Sequence, residues 1–318
     1  MKKMHLPGRI ILRDTTLREG LDVPGVEKRL KLSDRLILAR AIFSLGIREF
    51  DIVHPGRVHE KSIWLARELK RLYGNRIIIH GAAYAFNARL REELMLMANW
   101  VDDIDLVIPL IRAREPHTHK QKVRATLRGL KELQRMGKQG GVGFANASQC
   151  ERGFLIAFSK TVADAGADKI IIYDSVGLWD PLETYKLMRD VSTAVPHTPL
   201  LFHCHNDLGL AVANSVAAAY AGVKYLDASM NGLGDRAGNA ALEQLATLFH
   251  IKKVTTGITL RKLRAVSDLV EKLTGIKKAV NHPIVGDPKI LFSHISPKHL
   301  SDRKAFEILP RELRAVRR

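Results

Sequence analysis

Cysteine is nearly absent from this chain of 318 residues, where only Cys150 and Cys204 occur. Two cysteines without a CxxC spacing exclude a disulfide framework and point to a reducing, cytoplasmic setting. Aromatic residues are scarce, at 6%, and they do not interleave with basic residues in the manner that stacks bases. No apolar run approaches the ~20 residues that span a bilayer. The N-terminal MKKMHLPGRI has lysines but no long apolar segment, so it does not read as a secretory signal. Acidic residues are outnumbered, with 33 Asp and Glu against 51 Lys and Arg, for a net charge of +18. The basic residues are spread along the chain, and the densest run, RELRAVRR, is terminal. This pattern argues against nucleic acid and membranes as partners. It suits a small ligand carrying several phosphates.

What is present is an alternation of strand and helix. Short β-branched runs stand at 9–14, 48–53, 76–80, 105–109, 140–146, 169–174, 200–205 and 225–229. Helical periodicity fills the gaps at 33–46, 58–73, 88–100, 118–136, 151–166, 181–194 and 208–222, and follows the last strand at 240–250. Eight such units over roughly 250 residues predict an α/β fold of the (β/α)8 TIM-barrel type. A doubly wound open sheet would carry a glycine-rich phosphate loop after its first strand, and none is there. Past residue 252 a helix at about 259–274 leads into an irregular tail with Pro283, Pro288, Pro297 and Pro310. Residues 1–255 are therefore expected to form the barrel, and 256–318 a small C-terminal linker-type subdomain with no regulatory domain.

The most telling residues are His203 and His205 in LFHCHNDLGLAVANS. Alternate side chains of a strand share one face, so two His one residue apart aim both imidazoles at one point. A carboxylate from elsewhere would complete a divalent metal site, and Glu19 in LRDTTLREG offers one. Asn239, in NGLGDRAGNAALE, could add a carbonyl oxygen. Imidazole with oxygen ligands suits Mn, Mg, Zn or Co and does not choose among them. In TIM barrels the active site gathers at the C-terminal ends of the strands. Arg18 and Glu19, Asp51 and His54, Ser175, His203 and His205, and Asn239 all follow or end strands there. A metal at this place would chelate a 2-oxo acid, and Arg18 would stabilise the alkoxide as charge develops.

DTTLREG, DSVGLWDP, HCHNDLGLAVANS and NGLGDRAGNAALE, in this order and spacing, resemble the metal-dependent lyase and synthase TIM barrels. That superfamily includes 2-isopropylmalate, homocitrate and citramalate synthases, hydroxymethylglutaryl-CoA lyase and 4-hydroxy-2-oxovalerate aldolase. Glutamate in LREG is similar to homocitrate synthases. The tail, NHPIVGDPKILFSHISPKHL followed by FEILP, looks like the linker subdomain of the synthase branch. The resemblance implies an acyltransferase of amino-acid biosynthesis that condenses acetyl-CoA with a 2-oxo acid and releases CoA. It also implies a homodimer whose C-terminal subdomain reaches the neighbouring barrel. His294 and His299 match the two tail histidines of that branch, and His299 is the candidate base.

Several positions depart from the branch. Asp22 stands where glutamine is usual and becomes a candidate base or second acid near the metal. Ala147 in FANAS replaces an expected glutamate, Phe306 replaces a tyrosine, and Tyr84 stands where an arginine follows strand three. Asp51, His54, Tyr84 and Ser175 are the candidate substrate contacts. These departures keep two alternatives open: a CoA-independent aldolase or lyase acting on a 2-oxo or hydroxy acid, and a non-catalytic metal-binding descendant.

Overall fold

A computed structural model describes residues 5–56, 58, 60–111 and 117–287. The strands are β1 (Ile11–Asp14), β2 (Glu49–Val53), β3 (Ile78–Tyr84), β4 (Asp103–Pro109), β5 (Gly141–Ala145), β6 (Lys169–Asp174), β7 (Leu200–Cys204) and β8 (Tyr225–Ala228). All pair in parallel and in chain order, and β1 closes on β8 with Asp14 beside Ala228, giving a barrel of eight strands. Around it lie α1 (Leu32–Leu45), α2 (Glu60–Tyr73), α3 (Leu90–Met97), α4 (His119–Arg135), α5 (Arg152–Asp164), α6 (Pro181–Ala194), α7 (Ala211–Tyr220) and α8 (Leu242–Ile251). The expected TIM barrel is the fold. A ninth helix, α9 (Leu263–Thr274), packs against α1 and the turn at Met230–Gly232, where Ser267 Oγ donates to Asn231 Oδ1 at 2.6 Å. Among the described residues no helix is long and apolar enough to cross a membrane.

Two features were not legible in advance. β3 runs on to Tyr84 rather than ending at residue 80. Its extension, Gly81, Ala82 and Ala83, has weak strand propensity, but the room is small. A β-carbon at Gly81 would lie 2.9 Å from Met97 Sδ and 3.1 Å from Val53 Cβ. Packing thus overrides propensity. Two single helical turns, Glu19–Asp22 and Val26–Arg29, also follow β1.

Strand alternation sorts the core into two parts. Outward residues such as Phe50, Ile79, Phe144, Ile170, Ile172 and Phe202 pack against the helices in one large apolar cluster. Inward residues carry far more charge than the branched apolar layers usual in such barrels. Arg13 Nε and Nη2 donate to the two oxygens of Asp227 at 2.6 and 2.9 Å, and Nη1 donates to Asp105 Oδ2 at 2.8 Å. Asp51 Oδ2 stands 3.6 Å from Arg13 Nη2. Toward the N-terminal ends of the strands, the Lys169 amine bonds to Asp103 and lies 3.2 Å from Asp105, while His80 bridges toward Glu49 at 3.1 Å. Glycine on β5 makes this possible, because a β-carbon at Gly141 would come within 2.4 Å of Asp105 Oδ1. Small inward residues on one strand leave room for long charged ones on its neighbours.

Replacing Arg13 by Met should cost about 3–5 kcal/mol of unfolding free energy, because Asp227, Asp105 and Asp51 would stay buried without their cation. Chemical denaturation measures this, and a loss near zero would show the network is not formed. Asp14 gives a pH test. Burial pushes its carboxyl up to about 7, against the Thr16 hydrogen bonds and with help from Asp51 and Asp227. Its unfolded value is near 4, so the stabilisation is complete below that pH and is lost as pH rises toward 7. The stability of the wild type relative to Asp14→Asn should fall across that window and then level off.

Candidate functional site

β7 ends one residue after His203, and His205 follows on extended backbone, so the two rings share a face with centroids 5.1 Å apart. Glu19 begins the helical turn that caps β1. Its Oε1 lies 3.7 Å from His203 Nε2 and its Oε2 lies 3.8 Å from His205 Nε2. All three side chains are buried, and their ligand atoms lie within 4.8 Å of one another. The other nitrogen of His203, Nδ1, is 2.8 Å from Asp227 Oδ2. Burial works against ionising Asp227, but Arg13 outweighs it and holds the carboxyl well below the usual range. An ionised carboxylate can only accept, so His203 Nδ1 carries the hydrogen, and Nε2 is the ring nitrogen that faces Glu19.

The electrostatics suit a cation. Burial, then His203, depress His205 to about 4, so its ring is neutral near pH 7. Burial opposes charge on Glu19, but Arg18, followed by His203 and His205, brings it down to about 2. Asn239 is joined to His205 by a backbone bridge. Among the described residues its side-chain oxygen and nitrogen are both buried without a partner, as are His205 Nδ1 and Arg18 Nη2. Unpaired buried polar groups are costly, and a polar ligand is one way of satisfying them. The donors present, one carboxylate, two imidazoles and one amide, fit a divalent metal.

The glycine-rich loop that carries Asn239 is locally compelled. Gly238 sits at φ +85°, and a β-carbon there would lie 1.9 Å from the Gly232 carbonyl oxygen. Arg236 in the same loop donates to both oxygens of Asp207 at 2.7 and 3.0 Å and to the Ser175 carbonyl at 2.6 Å. Loops after β6, β7 and β8 are thereby tied together.

Arg18 bridges the candidate metal ligands to the barrel interior. Its Nε donates to Asp51 Oδ2 at 2.7 Å and its Nη1 lies 2.7 Å from Glu19 Oε1. The surrounding cavity, about 240 Å³, is lined by Arg18, Glu19, His203 and His205 together with His54, Tyr84, Ser175, Tyr173, Asn146 and Arg236. Asp51 stands behind Arg18 rather than on the cavity wall. Asp22 lies 3.5 Å from His54, and it also forms an acidic group with Glu19 and Asp235. Ser175 Oγ accepts from the Asn146 backbone N–H at 2.9 Å. His294, His299 and Phe306 lie outside the described residues. Arg13, Asp227, Tyr173 and Arg236 were missed from the sequence. Tyr173 in KIIIYD and Asp227 in YLDAS fall near the C-terminal strand ends, but the sequence alone does not say that they face the barrel axis.

A model of the HMGL-like family matches residues 9–270. The chain belongs to the HMGL-like family. This accords with the resemblance carried by DTTLREG and HCHNDLG. The chain is 33% identical over 316 residues to a homocitrate synthase of Saccharolobus islandicus strain M.14.25, covering 96% of this chain and 67% of that protein. It is 32% identical over 323 residues to a homocitrate synthase of Sulfolobus acidocaldarius, covering 98% of this chain and 67% of that one. Among solved structures, hydroxymethylglutaryl-CoA lyase from Pseudomonas aeruginosa superposes with a TM-score of 0.72 at 17% identity, over 86% of this chain and 95% of that chain. The carboxyl transferase domain of Rhizobium etli pyruvate carboxylase superposes with a TM-score of 0.68 at 16% identity, over 86% and 50%. These two share the fold of this HMGL-like chain.

Glu19→Gln and His203→Ala should each remove most bound Mn²⁺ while the far-UV circular dichroism of the barrel is kept. Asp227→Asn should weaken Mn²⁺ binding by about 10- to 100-fold, because His203 loses the partner that fixes its tautomer. Unchanged metal content in Glu19→Gln and His203→Ala would sink the ligand assignment.

Proposed function

We propose that this barrel condenses an acyl-CoA, acetyl-CoA by kinship with its homocitrate synthase relatives, with a 2-oxo acid and releases CoA. The observation that carries the reading is Arg18. Its guanidinium is pinned by Asp51 and Glu19 beside the metal-type ligands, while Nη2 is buried with no partner among the described residues. Glu19, His203 and His205, with Asn239 alongside, would hold the divalent ion. Such an ion supplies Lewis-acid polarisation of a keto group when bound.

The residues of the chain account for the rest. Arg18 Nη2 donates to the keto oxygen and strengthens that bond as the oxygen gains charge, which is catalysis by a preorganised donor. Asp51 and Glu19 keep the guanidinium from turning away. A base removes a proton from the acetyl methyl group, the resulting carbanion attacks the keto carbon, and water then cleaves the thioester. His299, with His294, is our candidate for the base, and Asp22 beside His54 is the candidate within the barrel. His54, Tyr84 and Ser175 contact the substrate. The same reading takes 1–255 as the catalytic barrel and 256–318 as a subdomain of a homodimer in the cytoplasm, serving amino-acid biosynthesis.

A second reading rests on Asp22, an acid 3.5 Å from His54, which lines the cavity. That pair could drive cleavage of a 4-hydroxy-2-oxo acid without CoA. The two readings separate in one assay. Mn²⁺-loaded protein should release free thiol from acetyl-CoA with one member of a panel of 2-oxo acids. Arg18→Ala should keep its metal and lose about 100-fold or more in kcat. Silence across the panel, with cleavage of a 4-hydroxy-2-oxo acid, would replace the first reading by the second.

A further inference from the structure

Tyr173 belongs neither to the ligand set nor to the Arg18 hydrogen bonds, yet it lines the cavity. It points inward from β6, is 7% exposed, and its ring centroid lies 5.0 Å from that of His203. The ring fills space that Gly143 on β5 leaves open, where a β-carbon would lie 2.5 Å from Tyr173 Cε2. Ala82, Val107, Ile171 and Leu201 pack with it, and Tyr84 and Ala145 border it. Tyr173 is therefore a fixed plug between a ligand histidine and the opposite wall.

The cations at the cavity are already committed. Among the described residues its lining holds two arginines, Arg18 and Arg236. Arg18 is bound by Asp51 and Glu19, and its remaining Nη2 serves the reacting end of the 2-oxo acid. Arg236 is forked onto Asp207 and reaches the Ser175 carbonyl. His54 faces Asp22. A second carboxylate on the substrate would be desolvated against Tyr173, Val107, Ala145 and Tyr84 with no uncommitted cation among the described lining residues to pair with it, which is strongly disfavoured. Uncharged groups fare better, since Asn146 and Ser175 also line the wall.

We infer that Tyr173 is a specificity-determining residue, and that the cavity takes a 2-oxo acid with a short, uncharged side chain. Glyoxylate, pyruvate and 2-oxobutyrate belong to this class, and 2-oxoglutarate does not. The inference rests on reading the site as one for 2-oxo acids, and two measurements separate its failure from that reading's. Thiol release by the Mn²⁺-loaded wild type should give kcat/KM for pyruvate or another short acid about 100-fold or more above 2-oxoglutarate. Calorimetric titration without acetyl-CoA should show the same order in binding. Tyr173→Ala should raise kcat/KM for 2-oxohexanoate relative to pyruvate by about 10-fold, while Tyr173→Phe keeps the wild-type order, because shape and not the hydroxyl discriminates.

Thiol release or binding that favours 2-oxoglutarate overturns the inference and leaves the condensation reading standing. Short acids that bind in the expected order without thiol release overturn the condensation and leave the inference. An unchanged preference in folded Tyr173→Ala removes Tyr173 as the determinant. If that variant does not fold, the wild-type order of binding still decides the substrate class.

Discussion

The buried guanidinium of Arg13 is the point from which the site is organised. It joins β1 to β8 through Asp227, to β4 through Asp105, and stands close to Asp51 on β2. Through Asp227 it sets the charge state of the carboxylate that orients His203, and through Asp51 it shares a partner with Arg18. Burying an arginine among carboxylates gains little stability over well-packed apolar side chains. What this arrangement gains is orientation. An apolar substitute could fill the volume, but it could not keep Asp227 ionised or hold the imidazole in one tautomer.

The second consequence of this interior is its sign. Glu49, Asp51, Asp103, Asp105 and Asp227 line the barrel against Arg13 and Lys169, with His80 between them. Burial and Lys169 would each lower the His80 value, yet its bonds to Asp103 and Glu49 raise it overall. The surplus of buried negative charge lies beneath Glu19, His203 and His205. In a low-dielectric interior such charge acts over a longer range than it would in water. A divalent cation at the mouth meets that field, whereas the outer surface of the chain is strongly basic.

Much of this was legible in the sequence, and the remainder was illegible for definite reasons. Strand runs such as KIIIYD and LLFHCH announce themselves because both faces are buried and β-branched or apolar. The HxH spacing and the glycine loop carry chemistry that few other patterns explain. β3 was cut short because its second half is made of Gly and Ala, chosen by space rather than by propensity. Asp227 was passed over because a lone aspartate in a strand looks the same whether it faces helices or the barrel axis. Only the register beside β7 reveals that it lies behind His203. Tyr173 was hidden likewise, since its meaning depends on the missing side chain of Gly143 across the pairing of β5 with β6.

The two halves of the barrel therefore have different freedoms. The residues proposed to seat the cation come from β7, β8, β1 and β2 and their loops, and they interlock through shared carboxylates. The cavity wall proposed to meet the substrate's side chain comes from β3 to β6, through Tyr84, Val107, Ala145, Asn146 and Tyr173, and is built of separate contacts. Asp105 is where Arg13 reaches across from the first half into the second. A lineage bearing this fold can thus exchange one substrate for another by small steps on the second half, with the reactive centre left intact. The exchange of Gly143 for a larger residue and of Tyr173 for a smaller one would form a single complementary pair in such a drift.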